Sequence, residues 1–251
     1  MGGFLGQSVG PPCSGWVVKH FGLSGLSGGI AIGLALIVAM RVTYRPSASV
    51  SLSHSNVTAS AWSVFSRRRG LLCLLLTTGT VRVIAAAGVP ATLAYWLTSI
   101  KYDVAEIGLV QSAFLAGIGL GGLLAAIAVR PSWERLTLWL VPLLSVPCLL
   151  AMPSLTGLAL SAAAGTTGLI LGIAQPVFIS YGQQLFPESQ RVASSITMGV
   201  SWGIGGAIAA ALIDICGRRQ SYDLAFETFA AAAVLSSALC VLLPKTNRAV
   251  G

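Results

Sequence analysis

The chain has 251 residues; 55% are hydrophobic, 9% are charged, and the mean hydropathy is +0.84. An ordinary soluble domain carries about 25% charged residues, so a soluble enzyme, a disordered chain and a disulfide-framed secreted domain are excluded. The formal charge of +8 falls between apolar runs, which points to orientation in a bilayer rather than to nucleic acid.

A membrane helix needs roughly 20 mostly apolar residues. In chain order the charge-free runs are 2–18, 21–40, 70–100 (interrupted only by Arg82), 107–129, 136–187, 192–213 and 224–243. The run 136–187 is too long for one crossing, and Met152-Pro153-Ser154 divides it. Eight crossings result. The runs are rich in Gly, Ala and Leu and lack the two-residue alternation of barrel strands. Helices satisfy every backbone group within the segment, so the expected class is an all-α polytopic membrane protein.

Residues 43–69 form the one long polar stretch, Ser-rich and ending in Arg67-Arg68-Arg69. It reads as a linker between two bundles. The expected units are therefore 1–42, the linker 43–69, and a six-helix bundle over 70–251. Asn56-Val57-Thr58 matches the glycosylation triplet, but the linker is expected on the cytoplasmic side. Placing Met1 in the cytoplasm puts ten basic residues inside, namely Arg41, Arg45, Arg67, Arg68, Arg69, Arg130, Arg135, Arg191, Lys245 and Arg248. Four lie outside: Lys19, Lys101, Arg218 and Arg219. The positive-inside rule favours this orientation, with both termini cytoplasmic.

Arg82 is the sharpest single feature. It lies about 18 Å along its helix from Gly70, near the bilayer midplane. A charge there costs at least ~2.5–3.5 kcal/mol. Two readings follow: a counter-charge for an anionic substrate or a coupling carboxylate, or a structural arginine bonded to helix-end carbonyls. Asp214 is a distant candidate partner. Gly88 and Pro90 in the same helix predict a kink. Gly117 and Gly121, and Gly199 and Gly203, are small-residue stripes suited to close helix packing. Gln111, Gln175, Tyr181 and Trp202 could contact substrate or a neighbouring helix. Tyr95 and Trp96 fit an aromatic belt.

Catalysis is not expected. The histidines His20 and His54 fall in predicted loops, and no nucleophile elbow, H-E-x-x-H or nucleotide loop occurs. The five cysteines have no metal-ligand spacing, and no cofactor is expected.

Gly6-Gln7-Ser8-Val9-Gly10-Pro11-Pro12 is echoed by Gly199-Val200-Ser201-Trp202-Gly203-Ile204-Gly205-Gly206, as a parallel repeat would require. Six crossings after a basic loop, with this echo before it, resemble a major facilitator superfamily transporter. Gly6-x3-Gly10-Pro11 with Gly15 is similar to the glycine–proline motif of the fifth helix in drug/proton antiporters. Thr80-Val81-Arg82 and Val104-Ala105-Glu106-Ile107-Gly108-Leu109, leading into Gly117-Ile118-Gly119-Leu120-Gly121-Gly122, resemble the fosmidomycin-resistance efflux proteins. So does Val192-Ala193-Ser194-Ser195. The loop Val129-Arg130-Pro131-Ser132-Trp133-Glu134-Arg135 departs from the family's Gly-and-Asp pattern. The resemblance implies the last two helices of one bundle and all six of the next. It implies proton-coupled efflux of a drug, antibiotic or organic anion, with lipid, the small-molecule substrate and protons as partners, in a bacterial inner membrane. The missing first four helices suggest a second expectation: a shortened, non-transporting form or an assembly partner of a transporter.

Overall fold

The computed structural model describes residues 2–43 and 68–245. The Ser-rich part of the linker, with its glycosylation triplet, lies outside the described residues.

The helices are α1 (Gly2–Phe21), α2 (Gly28–Thr43), α3 (Arg69–Ser99), α4 (Val104–Ala128), α5 (Glu134–Ala151) and α6 (Gly157–Leu185). The chain continues through a short α7 (Gln190–Ser194), a π-helical segment (Ser195–Val200), α8 (Ser201–Arg218) and α9 (Asp223–Leu242). No strand occurs among the described residues.

Seven helical segments among the described residues are long and apolar enough to cross a membrane. The exception among the eight predicted crossings is α1, which is helical over 20 residues. Its glycines, its two prolines and Lys19 lower its apolar character. The break expected at Met152-Pro153-Ser154 is a 3₁₀ turn, because Pro153 cannot donate its backbone N–H to continue the helix. His20, expected in a loop, instead lies in the last turn of α1, its Nδ1 2.9 Å from the Trp16 carbonyl.

Short turns join α3 to α4, α4 to α5 and α5 to α6; α4 packs on α6, α3 on α8, and α5 on both α6 and α9. α1 packs on α4. Two buried apolar clusters fill the bundle. One gathers Leu93, Phe114, Phe226 and Phe229; the other gathers Leu75, Leu138, Phe178 and Tyr181. α2 buries no residue, as suits a helix whose apolar side chains meet lipid.

Closest approach is made where glycine removes the side chain. A Cβ on Gly117 would collide with the Gly165 carbonyl, and one on Gly121 with the Leu169 carbonyl. The relation is reciprocal: a Cβ on Gly168 or Gly172 would strike the Phe114 or Ile118 carbonyl. The α4–α6 seam is thus backbone against backbone, the contact that small residues permit in lipid.

Candidate functional site

A cavity of about 550 Å³ opens between α3 and α8. Its walls are small and apolar: Ala87 and Ala91 of α3 face Gly206, Ala209 and Ala210 of α8. Tyr95, Asp214 and Arg218 complete it at the end away from the linker. Asp214 and Arg218 form an ion pair of 2.9 Å one helical turn apart, both well exposed. Asp214 is therefore engaged on its own helix and not with Arg82.

Arg82 is 4% exposed and lies outside this cavity. Its guanidinium carbon sits 5.3 Å from the centroid of the Phe178 ring, a cation–π geometry. Neither Nη1 nor Nη2 has a hydrogen-bond partner among the described residues, and no carboxylate reaches it.

The other predicted residues bond to the protein itself. Gln111 Nε2 donates to the Pro90 carbonyl at 2.8 Å, tying α4 to the proline-bearing part of α3. Gln175, 7% exposed, points its amide at the Met198 sulfur, 3.4 Å away in the π-helical segment. Tyr181 donates its hydroxyl to the Pro244 carbonyl at 2.6 Å. Trp202 is half-buried on α8. The structure therefore does not gather Arg82, Gln111, Gln175, Tyr181 and Trp202 into one pocket. Gly88 faces the Phe229 ring, whereas a Cβ on Gly10, Gly199 or Gly203 would meet nothing within 4 Å. Pro11 lies in the α1–α4 seam, where its carbonyl would block a Cβ on Gly108. Trp96 is not at a lipid interface: it is 8% exposed, its ring edge-on to Phe226 at 5.6 Å.

At the end of the seam away from the linker Lys19 donates to Asp103 at 2.5 Å. That hydrogen bond holds the Asp103 carboxyl below its ordinary range.

Sequence reasoning missed a buried carboxylate. Glu134, the first residue of α5, is 7% exposed. Its Oε1 accepts from Ser180 at 3.0 Å and its Oε2 from Gln184 at 2.7 Å, both on α6. Its position after a proline-led turn reads as an ordinary helix start, where an acid favours the dipole. Nothing local signals that α6 covers it.

The family model of the Major Facilitator Superfamily matches residues 1–210. The chain belongs to the major facilitator superfamily. That span runs from α1 into α8 and includes the Ala87, Ala91, Gly206, Ala209 and Ala210 walls of the α3–α8 cavity, but not Asp214 or Arg218. No curated protein matches the chain. As a major facilitator superfamily protein with its apolar crossings, it is an integral membrane protein and a membrane transporter.

Proposed function

We propose that this chain is a secondary transporter that exports small organic molecules in exchange for protons, with the α3–α8 cavity as the substrate's seat. The observation that carries the reading is that cavity. Its volume of about 550 Å³ falls in the range of small-molecule sites, roughly 300–1,000 Å³. Alanine and glycine walls accept an apolar body, and Asp214, Arg218 and Tyr95 offer polar groups at the rim.

An organic anion or an anionic drug fits best. Arg82 lies about 8 Å along α3 from Ala87, and its Nη atoms have no acceptor among the described residues. A buried cation in this state favours a negative charge nearby. The end of the bundle bearing Arg68, Arg130, Arg135 and Arg191 is cytoplasmic on this reading, and both termini with it. A bacterial inner membrane and kinship with drug-efflux proteins belong to the same reading.

The test is flux in proteoliposomes holding the full chain, with a panel of organic anions and neutral dyes as probes, with and without a pH gradient. Ala210 lines the cavity and is exposed, so Ala210→Trp fills the seat without disturbing the core. Flux of at least one probe is expected to depend on the pH gradient and to fall about tenfold in this variant, the loss of roughly 1.4 kcal/mol of binding. Unchanged flux in Ala210→Trp would remove the cavity from the path. Absence of gradient-driven flux would remove proton exchange.

A further inference from the structure

The chain has seven acidic residues: Asp103, Glu106, Glu134, Glu188, Asp214, Asp223 and Glu227. Six are exposed, and Glu134 alone is buried. A proton carried through a transporter needs a group that can be shielded from one side, and an ionisable side chain inside a membrane bundle marks such a role. Of the seven, Glu134 alone is covered by the chain's own helices.

Glu134 lines a cavity of about 170 Å³ between the end of α4, the start of α5 and α6. That space has room for several waters, at roughly 30 Å³ each. Its walls include Pro176 and Ser180. The carboxylate's partners are neutral: the Ser180 hydroxyl and the Gln184 amide. No basic side chain lies within 4 Å of it among the described residues; the ion pairs there are Lys19–Asp103 and Arg218–Asp214. The nearby cations are engaged elsewhere. Arg130, on the preceding turn, lies over the Trp133 ring. Arg135 donates to the Val241 carbonyl of α9 at 2.8 Å. Arg68 donates to the Leu185 carbonyl at the end of α6. On α6 the titratable Tyr181 donates to Pro244, and on α9 Cys240 is buried in the apolar cluster that holds Tyr181. The α4 wall, Ala125, Ala126 and Val129, carries none.

We infer that Glu134 exchanges the coupling proton at the basic end of the bundle, and that binding the proton weakens the tie between α5 and α6. This rests on the proton-exchange reading above. As a carboxylate, Glu134 only accepts, and both its oxygens are used by α6. A hydronium ion in the cavity transfers its proton to one oxygen. An O–H bond forms, water is left behind, and the side chain passes from anion to neutral acid with no change of oxidation state. That oxygen now donates, and the Ser180 hydroxyl turns to accept it, while the other oxygen still accepts from Gln184. Both bonds become neutral, so the tie between the helices weakens. Release of the proton to the cavity water restores it.

The experiment uses the full chain in proteoliposomes. Infrared difference spectra on acidification, with carboxyl-labelled glutamate, read protonation of a glutamate shielded from bulk water. Hydrogen exchange reads the tie at the start of α5 and the end of α6. In the native chain a label-sensitive carboxyl signal is expected, with exchange at residues 180–186 rising about tenfold as it develops, the difference between charge-assisted and neutral hydrogen bonds. In Glu134→Gln the signal disappears and exchange is fast at every pH. Glu134→Asp, which keeps an acid, retains both responses. A signal and a pH-dependent exchange that both survive in Glu134→Gln would overturn the inference. So would the absence of any shielded glutamate signal in the unmodified chain, which requires no variant to fold. The two readings fail separately. Proton flux that is intact in Glu134→Gln sinks the role of Glu134 and spares proton exchange. A Glu134 signal without gradient-driven flux sinks proton-coupled transport and leaves the proton-sensitive tie.

Discussion

Gly88 carries a packing requirement that its neighbour Pro90 conceals. Read along the sequence, Gly88-Val89-Pro90 is a bend. In the structure a Cβ on Gly88 would enter the Phe229 ring. Phe229 is fully buried and packs edge-on to Phe226 at 6.3 Å, so the ring has little room to retreat. Gly88→Ala is expected to destabilise the bundle by about 1–3 kcal/mol, the cost of overpacking, and Phe229→Leu in the same chain should restore part of it. Thermal unfolding in detergent of the single and double variants checks this. Equal Tm for Gly88→Ala and the native chain would mean that the ring moves freely. Arg82 was legible for a different reason. A lone charge in an apolar run is conspicuous in one dimension, and its depth follows from helix rise. Its surroundings were not legible, because Phe178 lies on another helix. Glu134 was the converse: ordinary in its local sequence, and distinctive only because α6 covers it.

At the scale of elements, length and hydropathy placed α3 to α6 and α9 to within three residues, whereas α2 begins at Gly28 rather than 21 and the run 192–213 divides into α7, a π-helical segment and most of α8. Twenty apolar residues in lipid have few alternatives to a helix. The π-helical segment Ser195–Val200 and the 3₁₀ turn Leu23–Ser27 were not legible, since both depend on backbone hydrogen bonding that composition does not encode. The α1–α4 seam was half legible. The glycine–proline motif marked α1 as a segment of note, but the contact with Gly108 comes from the fold: its Cβ would strike the Pro11 carbonyl, as one on Gly15 would strike that of Val104. The seam is closed at the end away from the linker by Lys19 and Asp103. Because the folded Asp103 carboxyl is held down by Lys19, its contribution is present above the unfolded value of about 3.9. It is lost as pH falls through the folded value. Hydrogen exchange at residues 103–108 is therefore expected to accelerate on strong acidification and in high salt, which screens an exposed pair. Asp103→Asn should exchange at the faster rate throughout. An acid response that persists in Asp103→Asn would assign it to another group.

For the whole molecule, the distribution of charge and the alternation of helices make one joint statement. α3 begins at Arg69, α4 ends beside Arg130, and α7 begins beside Arg191, so these arginines share one end of the bundle. Lys101 lies between α3 and α4 at the other end, and Lys19 joins it there through Asp103. Sequence could count the charges, and the fold shows that they sort onto two ends with Arg82 between them. If the positive-inside rule governs, Lys101 and Arg191 must lie on opposite sides of the bilayer with Arg191 in the cytoplasm. Lys101→Cys and Arg191→Cys, each in a chain whose exposed Cys13 and Cys73 are replaced by serine, test this directly. A membrane-impermeant maleimide is expected to label Lys101→Cys in intact cells and Arg191→Cys only after the membrane is opened. Labelling of both from one side would contradict the odd number of crossings between them, α3 being followed by α4, α5 and α6 before Arg191. Labelling with the sides exchanged would instead keep the fold and reverse its orientation, placing Glu134 and its small cavity on the outer face, where a proton would enter rather than leave.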